Sequence, residues 1–224
     1  VGNEADVRQL LFAEGMLDAL KPGTIVAIHS TIAPESCHAL SADCASRDIG
    51  FLDVPVSGSG RAARSGLLLV LAGGDGNVLL RARPVLSAFA GKILHMGGVG
   101  AGMHAKLINN LLSAAQIGLA QVALDLGATL QLDLPVLREG VLAGTGRSYG
   151  MEALIRLQRP ERAAHIATIL EKDVALARHS TWGANGDAKA LLCAAEMGVE
   201  RLRALAKGEG GLLPPDMLEV IAAL

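Results

Sequence analysis

Apolar residues recur at helical spacing over residues 4–20, and the Lys21-Pro22-Gly23 turn stops that helix. The β-branched run TIVAIHS at 24–30 predicts a strand. Thr31-Ile-Ala-Pro34 opens a second helix, with Pro34 near its first turn, where a missing N–H costs nothing, and the pattern continues to about Arg47. Residues 49–54 read as a strand, the Gly-rich segment 57–60 as a turn, and GLLLVLAGG at 66–74 as a buried strand. A helix over 75–88 and a short strand at 92–97 follow. Helix alternating with strand predicts a parallel, doubly wound sheet. The alternation stops near Gly98. Beyond the glycines of 97–102 the periodicity is helical, over 101–127, 133–144, 160–180, 186–207 and 214–223. The expected organisation is an α/β domain over 1–98 and an all-α domain over 99–224 that begins with a long helix.

Composition narrows the picture. About half of the 224 residues are apolar but only 2% are aromatic, so the cores must be built from Ala, Leu, Val and Ile. A net charge of −2 gives no global field for nucleic acid or anionic lipid, so any anion must be held locally. Cys37, Cys44 and Cys193 form neither a CxxC nor a zinc-spaced cluster, which points away from disulfides and metal and toward a reducing cytoplasm. The pattern shows no 18-residue apolar run. The first residues lack a signal-peptide pattern. The chain enters a helix within a few residues of Val1 without an initiator Met, so a preceding segment is expected.

Three clusters could carry chemistry. In GAGMHAKLINN (100–110), glycines precede a helix whose free N–H groups favour an anion. Lys106 and Asn110 are four apart and share one helix face. The helix dipole and burial would both lower the lysine's pKa toward a range useful for proton transfer. A solvent-facing Lys with capping Asn residues is the plainer reading, but the surrounding Leu107, Ile108, Leu111 and Leu112 make the segment strongly apolar. In DVPVSGSG (53–60), a strand ending in a Ser/Gly turn makes a small anion cradle or an ordinary turn. Its GxGxxA match, Gly58 to Ala63, is rejected as a dinucleotide fingerprint because the next strand arrives too soon. Lys172-Asp173, in mid-helix, reads by itself as a solvated charge pair.

In this order and spacing the clusters resemble the β-hydroxyacid dehydrogenase family, of the 3-hydroxyisobutyrate dehydrogenase type. The DxPVSGG pattern is met by Asp53, Pro55, Val56, Ser57 and Gly58, and continues through Ala63, Gly66 and Leu68 to Gly73 and Gly74. GxGxxxKxxNN is met by Gly100, Gly102, Lys106, Asn109 and Asn110; KDxxLA by Lys172, Asp173, Leu176 and Ala177; STIxP by Ser30, Thr31, Ile32 and Pro34. The likeness is clear over 1–180 and looser beyond. Ser59 stands where the family usually has a second Gly and Leu67 where it has Thr, which leaves the substrate's identity open.

The resemblance implies a partial Rossmann-type sheet followed by a helical substrate and oligomerisation domain. It further implies NAD or NADP as cofactor. The helical half exposes long apolar helices that a monomer of this size would struggle to cover, so a homodimer or homotetramer through the residues after 101 is expected, which a monomeric sedimentation profile would remove. Lys106 and Asn110 would be catalytic, and Ser57, Gly58, Ser59 and Asn109 would bind a small carboxylate substrate. Ser30, Thr31, Gly100 and Lys172 would bind the cofactor. By the same likeness roughly 65–70 residues, with the GxGxxG turn and the 2′ selector, are expected upstream of Val1, and without them the chain should not turn over. The alternatives are a non-catalytic binding or oligomerisation module, or a relative of the imine reductase or 6-phosphogluconate dehydrogenase type. Imine reductases typically lack the lysine, and 6-phosphogluconate dehydrogenases carry His-Asn in place of Asn109-Asn110.

Overall fold

The computed structural model describes residues 1–58, 60–180, 182 and 185–209, so Ser59 and the helix expected over 214–223 lie outside the described residues. The chain divides into two compact units, Val1–Ile108 and Asn109–Leu224, and the division falls inside the long helix that follows the glycines.

In the first unit the single helix expected over 4–20 is broken. Helix α1 (Glu4–Arg8) is capped by the Asn3 side chain. It widens into a π-helical turn over Gln9–Ala13, where the Glu14 N–H reaches the Gln9 carbonyl at 3.0 Å. Gly15, left-handed at φ +69°, ends it before α2 (Met16–Ala19). Strand β1 (Ile25–Ile28), α3 (Pro34–Ala45) and β2 (Gly50–Asp53) then form a βαβ unit, with β1 and β2 parallel.

Beyond Asp53 the strand direction departs from the expected pattern. Strand β3 (Val56–Ser57) continues β2 along the same partner, β4 (Leu68–Gly74), in one antiparallel register: Leu52 faces Gly74, Asp53 faces Gly73, Val56 faces Val70 and Ser57 faces Leu69. The stretch from Gly58 to Leu67, which holds the short α4 (Gly60–Arg64), is below the dozen or so residues a parallel crossover needs, so the chain turns back. Helix α5 (Gly76–Leu86), capped by Asp75, then crosses to β5 (Ala90–Gly97), which is parallel to β4. The sheet is therefore two parallel pairs joined by an antiparallel seam.

Both faces are covered. Val26, Ile28 and Phe51 pack with Val7, Leu11, Leu17, Leu40 and Met103 on one face. Their strand neighbours Ile25, Ala27 and Leu52 pack with Val70, Leu79 and Leu86 on the other. This is the period-2 alternation of a strand buried on both sides. Cys37 and Cys44 belong to the first of these cores, where burial pushes both thiols up, and they act as small apolar side chains.

The second unit contains the remainder of α6 (Ala101–Thr129), with α7 (Leu134–Ala143), α8 (Tyr149–Leu157), α9 (Pro160–His179) and α10 (Gly186–Ala206). Helix α8 was not expected from the sequence. The Ser148 side chain caps it, accepting from the Met151 N–H at 3.2 Å, and it buries Met151, Ala153, Leu154 and Leu157. Glycines let the helices approach closely: Gly198 on α10 lies against Ala114 and Gly118 of α6, and Gly150 of α8 against the Gln116 carbonyl. Helix α6 is long and apolar enough by composition to cross a membrane, although no such run was read in the sequence; half of the qualifying window is buried in the protein, as in a core helix.

Candidate active site

Asp53 ends β2 fully buried. Its Oδ1 accepts the Gly100 N–H at 2.8 Å and its Oδ2 the Met103 N–H at 2.9 Å, so a strand-end carboxylate caps the start of α6. Burial pushes this carboxyl above its ordinary value, and the N–H donors of Gly100, Met103 and Gly102 pull it part of the way back. Gly102 permits the fit: a Cβ there would stand 2.4 Å from the Leu71 carbonyl oxygen and 2.6 Å from that of Asp53. The sequence pattern alone suits these glycines and N–H groups to an approaching anion. In the structure Gly102 seats the helix on the strands, and the N–H of Gly100 goes to Asp53. Gly100 itself is left-handed, at φ +85°.

The raised carboxyl gives a pH signature. The folded chain holds the Asp53 proton more tightly than the unfolded chain does. The resulting stability is complete below the ordinary carboxylate range and is lost as pH rises through the raised folded value. Urea unfolding across this range is expected to show wild type losing stability relative to Asp53→Asn as pH rises. A difference that is flat, or that grows with pH, would contradict the assignment.

The candidate substrate and cofactor residues of the first unit lie at strand ends. Ser30 and Thr31, both half-buried, sit between β1 and α3. The Ser30 hydroxyl donates to the Val1 carbonyl at 2.7 Å. His29 Nδ1 lies 2.8 Å from the Val54 carbonyl, so the exits of the parallel strands β1 and β2 are tied together at their carboxyl ends, where open α/β sheets bind ligands. Ser57 is half-buried and Gly58 exposed. Gly58 has φ +135°, and a Cβ on it would meet Leu68 at 2.8 Å. Although α4 does open at Gly60, the flanking β3 and β4 are antiparallel neighbours, so Gly58–Ala63 lies in a hairpin connection and not in a dinucleotide-binding βαβ unit.

Lys106 is half-buried on α6, one turn ahead of Asn110. Asn110 is buried, and its Nδ2 donates to Asp173 Oδ2 at 2.5 Å while its Oδ1 accepts from Asn109 Nδ2 at 3.0 Å. Asn109 is exposed. Asp173, on α9, is 1% exposed, and its Oδ1 lies 3.2 Å from Lys172 Nζ, at ion-pair distance but without hydrogen-bond alignment. The pair is therefore not simply solvated: Lys172 is partly exposed while Asp173 is interior. Helical spacing could have revealed this, because the buried stripe of α9 runs Ala163, Ala167, Leu170, Val174, Ala177, and Asp173 falls on it, three residues after Leu170. Among the described residues no group of three or more His, Cys, Asp or Glu could hold a metal ion.

A sheet layered by helices on both faces, with an all-helical unit after it in the chain, is the open α/β arrangement in which ligands bind at the carboxyl ends of strands. Residues 1–98 match the family model for the NAD-binding domain of 6-phosphogluconate dehydrogenase. Residues 100–212 match that for the NAD-binding domain of NADP-dependent 3-hydroxyisobutyrate dehydrogenase. The chain belongs to the 3-hydroxyisobutyrate dehydrogenase family of β-hydroxyacid dehydrogenases. It is 34% identical over 177 residues to an NAD-dependent L-serine dehydrogenase of Pseudomonas aeruginosa, covering 75% of this chain and 59% of that protein. It is 37% identical over 158 residues to an L-threonate dehydrogenase of Escherichia coli, covering 70% and 52%. The chain thus spans little more than half the length of these relatives. The solved 3-hydroxyisobutyrate dehydrogenase of Mycobacterium tuberculosis with L-serine superposes with a TM-score of 0.73 at 27% identity, covering 100% of this chain and 77% of that one.

Proposed function

We propose that the full-length protein oxidises a short β-hydroxyacid, or reduces the matching semialdehyde, with NAD or NADP and with Lys106 as general acid and base. The observation that carries this reading is a half-buried lysine one turn ahead of a buried, hydrogen-bonded asparagine, on a helix seated against strand ends. A bound nicotinamide supplies the hydride acceptor or donor. The side chains supply the rest. Ser57 and the backbone at Gly58 receive the substrate carboxylate, with Ser59 beside them in sequence, and Asn109 borders the substrate. Lys106 exchanges a proton with the substrate oxygen, and Asn110 hydrogen-bonds that oxygen. Ser30 and Thr31, at the carboxyl end of β1, suit a cofactor's polar groups, and Lys172 offers a cation to its phosphates.

The names of the relatives, which cover L-serine, L-threonate and 3-sulfolactaldehyde, favour a short polar acid or aldehyde. Exposed Leu119, Leu126 and Leu130 support a homo-oligomer formed through the helical unit. Nicotinamide absorbance with the full-length protein, NAD and NADP, and a panel of short hydroxyacids and semialdehydes tests the reading. Turnover of one class of substrate is expected. Cofactor binding without turnover of any panel member would leave a non-catalytic module instead.

A further inference from the structure

We infer that Asp173 is a positioning residue: it fixes which end of the Asn110 amide faces the substrate and holds Lys172 beside it. The inference rests on the dehydrogenase reading above and deepens it. An ionised carboxylate only accepts hydrogen bonds, so Asp173 Oδ2 draws the Nδ2 end of Asn110 toward α9. The other end is fixed too, since Asn110 Oδ1 takes its proton from Asn109 Nδ2. The amide therefore has a defined polarity along Asn109, Asn110 and Asp173, and a flipped amide would set oxygen against oxygen. With one Nδ2 hydrogen on Asp173 and one Oδ1 lone pair taken by Asn109, Asn110 keeps for a ligand its second N–H and the other lone pair of Oδ1.

The free N–H is the end that suits an oxygen gaining negative charge when a carbonyl is reduced or a hydroxyl is deprotonated. The same carboxylate holds Lys172 Nζ at 3.2 Å by its other oxygen. Adjacent helix residues do not face one another, so this pairing depends on the length of the lysine side chain. A carboxylate 1% exposed carries a desolvation cost that apolar packing on the same stripe would avoid. The orientation it imposes on Asn110 offsets that cost in function.

The test is a double-mutant cycle in the full-length protein with Asp173→Ala, Asn110→Ala and the double variant. It is read in kcat and KM by nicotinamide absorbance, with thermal unfolding alongside. Asp173→Ala is expected to lower kcat about 10–100-fold, the range found for outer partners that orient a metal ligand. In the Asn110→Ala background the same change should cost less than about threefold in kcat, because the amide it orients is gone, while the release of Lys172 should show in both backgrounds as a raised KM for the cofactor. Asp173→Glu, which keeps the acceptor, should recover part of the loss, and Asp173→Asn, which lets either amide flip, should recover less.

A second readout does not depend on turnover. The Asn110 side-chain amide protons should show two well-separated resonances, one of them protected from exchange, and that protection should vanish in Asp173→Ala. Equal kcat losses from Asp173→Ala in both backgrounds, with the amide protected in wild type, would overturn the positioning role and leave the dehydrogenase reading standing. A wild-type protein that turns over no panel member would overturn both.

Discussion

Lys106→Ala in the full-length protein is expected to lower kcat by about 10²–10⁴-fold while leaving the fold intact, the usual yield of a positioned general acid or base. The side chain is half-buried on α6, and its removal opens no gap in the fully buried core formed by neighbours such as Met103, Leu107 and Leu111, so stability should change little. Lys106→Arg is expected to be nearly as damaged, because a guanidinium keeps its charge throughout the working pH range and cannot accept the proton back. KM for the hydroxyacid should move less than kcat, since the carboxylate is assigned to the Ser57–Gly58 turn. Turnover within a factor of a few of wild type would remove Lys106 from the chemistry.

Gly198→Ala is expected to be the most damaging single-methyl change to the fold. A Cβ at Gly198 would stand 1.9 Å from the Ala114 carbonyl oxygen and 2.6 Å from its carbon, both backbone atoms of another helix. No side-chain rotation relieves such a contact; α6 and α10 have to separate. Overpacking in a core costs typically about 1–3 kcal/mol, and backbone-on-backbone contact places this case above that range. Losses beyond about 4 kcal/mol mark a specific structural cause, and this one has it. The internal control is Gly140→Ala on α7, where a Cβ meets nothing within 4 Å and the change should stabilise by roughly 0.5–1 kcal/mol. Urea unfolding of both variants, with soluble yield recorded, distinguishes a close helix crossing from a general intolerance of substitution.

These two residues also show what could be read from the sequence. Lys106 stands out as a candidate in the sequence because it lies with Asn109 and Asn110 among Leu107, Ile108, Leu111 and Leu112, and polar residues inside such an apolar segment demand an account. The role of Gly198 does not stand out, because a glycine inside a helical pattern looks the same whether it faces solvent or another backbone. Strand direction was hidden for a similar reason. The apolar pattern of 66–74 marks a buried strand but carries no sign of parallel or antiparallel pairing, which the short connection from Gly58 to Leu67 decides. Helix α8 escaped notice because the Gly-Thr-Gly-Arg-Ser run just before it reads as loop and Gly150 weakens its first turn. At the site, the glycines before α6 read as a ligand cradle, since nothing in the pattern indicates that Asp53, some fifty residues earlier, takes the N–H groups of Gly100 and Met103. Beside Lys172, Asp173 reads as a solvated charge, although helical spacing puts it on the buried stripe of α9.

Proton transfer by the Lys106 amine should show directly in the pH dependence of kcat/KM. Acting as base toward a hydroxyacid, the amine must be neutral, so activity in the oxidation direction should rise with pH along one limb. Acting as acid toward the semialdehyde, it must be charged, so activity in reduction should fall along the corresponding limb. In Lys106→Met both limbs should disappear from the residual activity, leaving it level across the same range. If the limbs persist unchanged in that variant, another group moves the proton and the central claim fails.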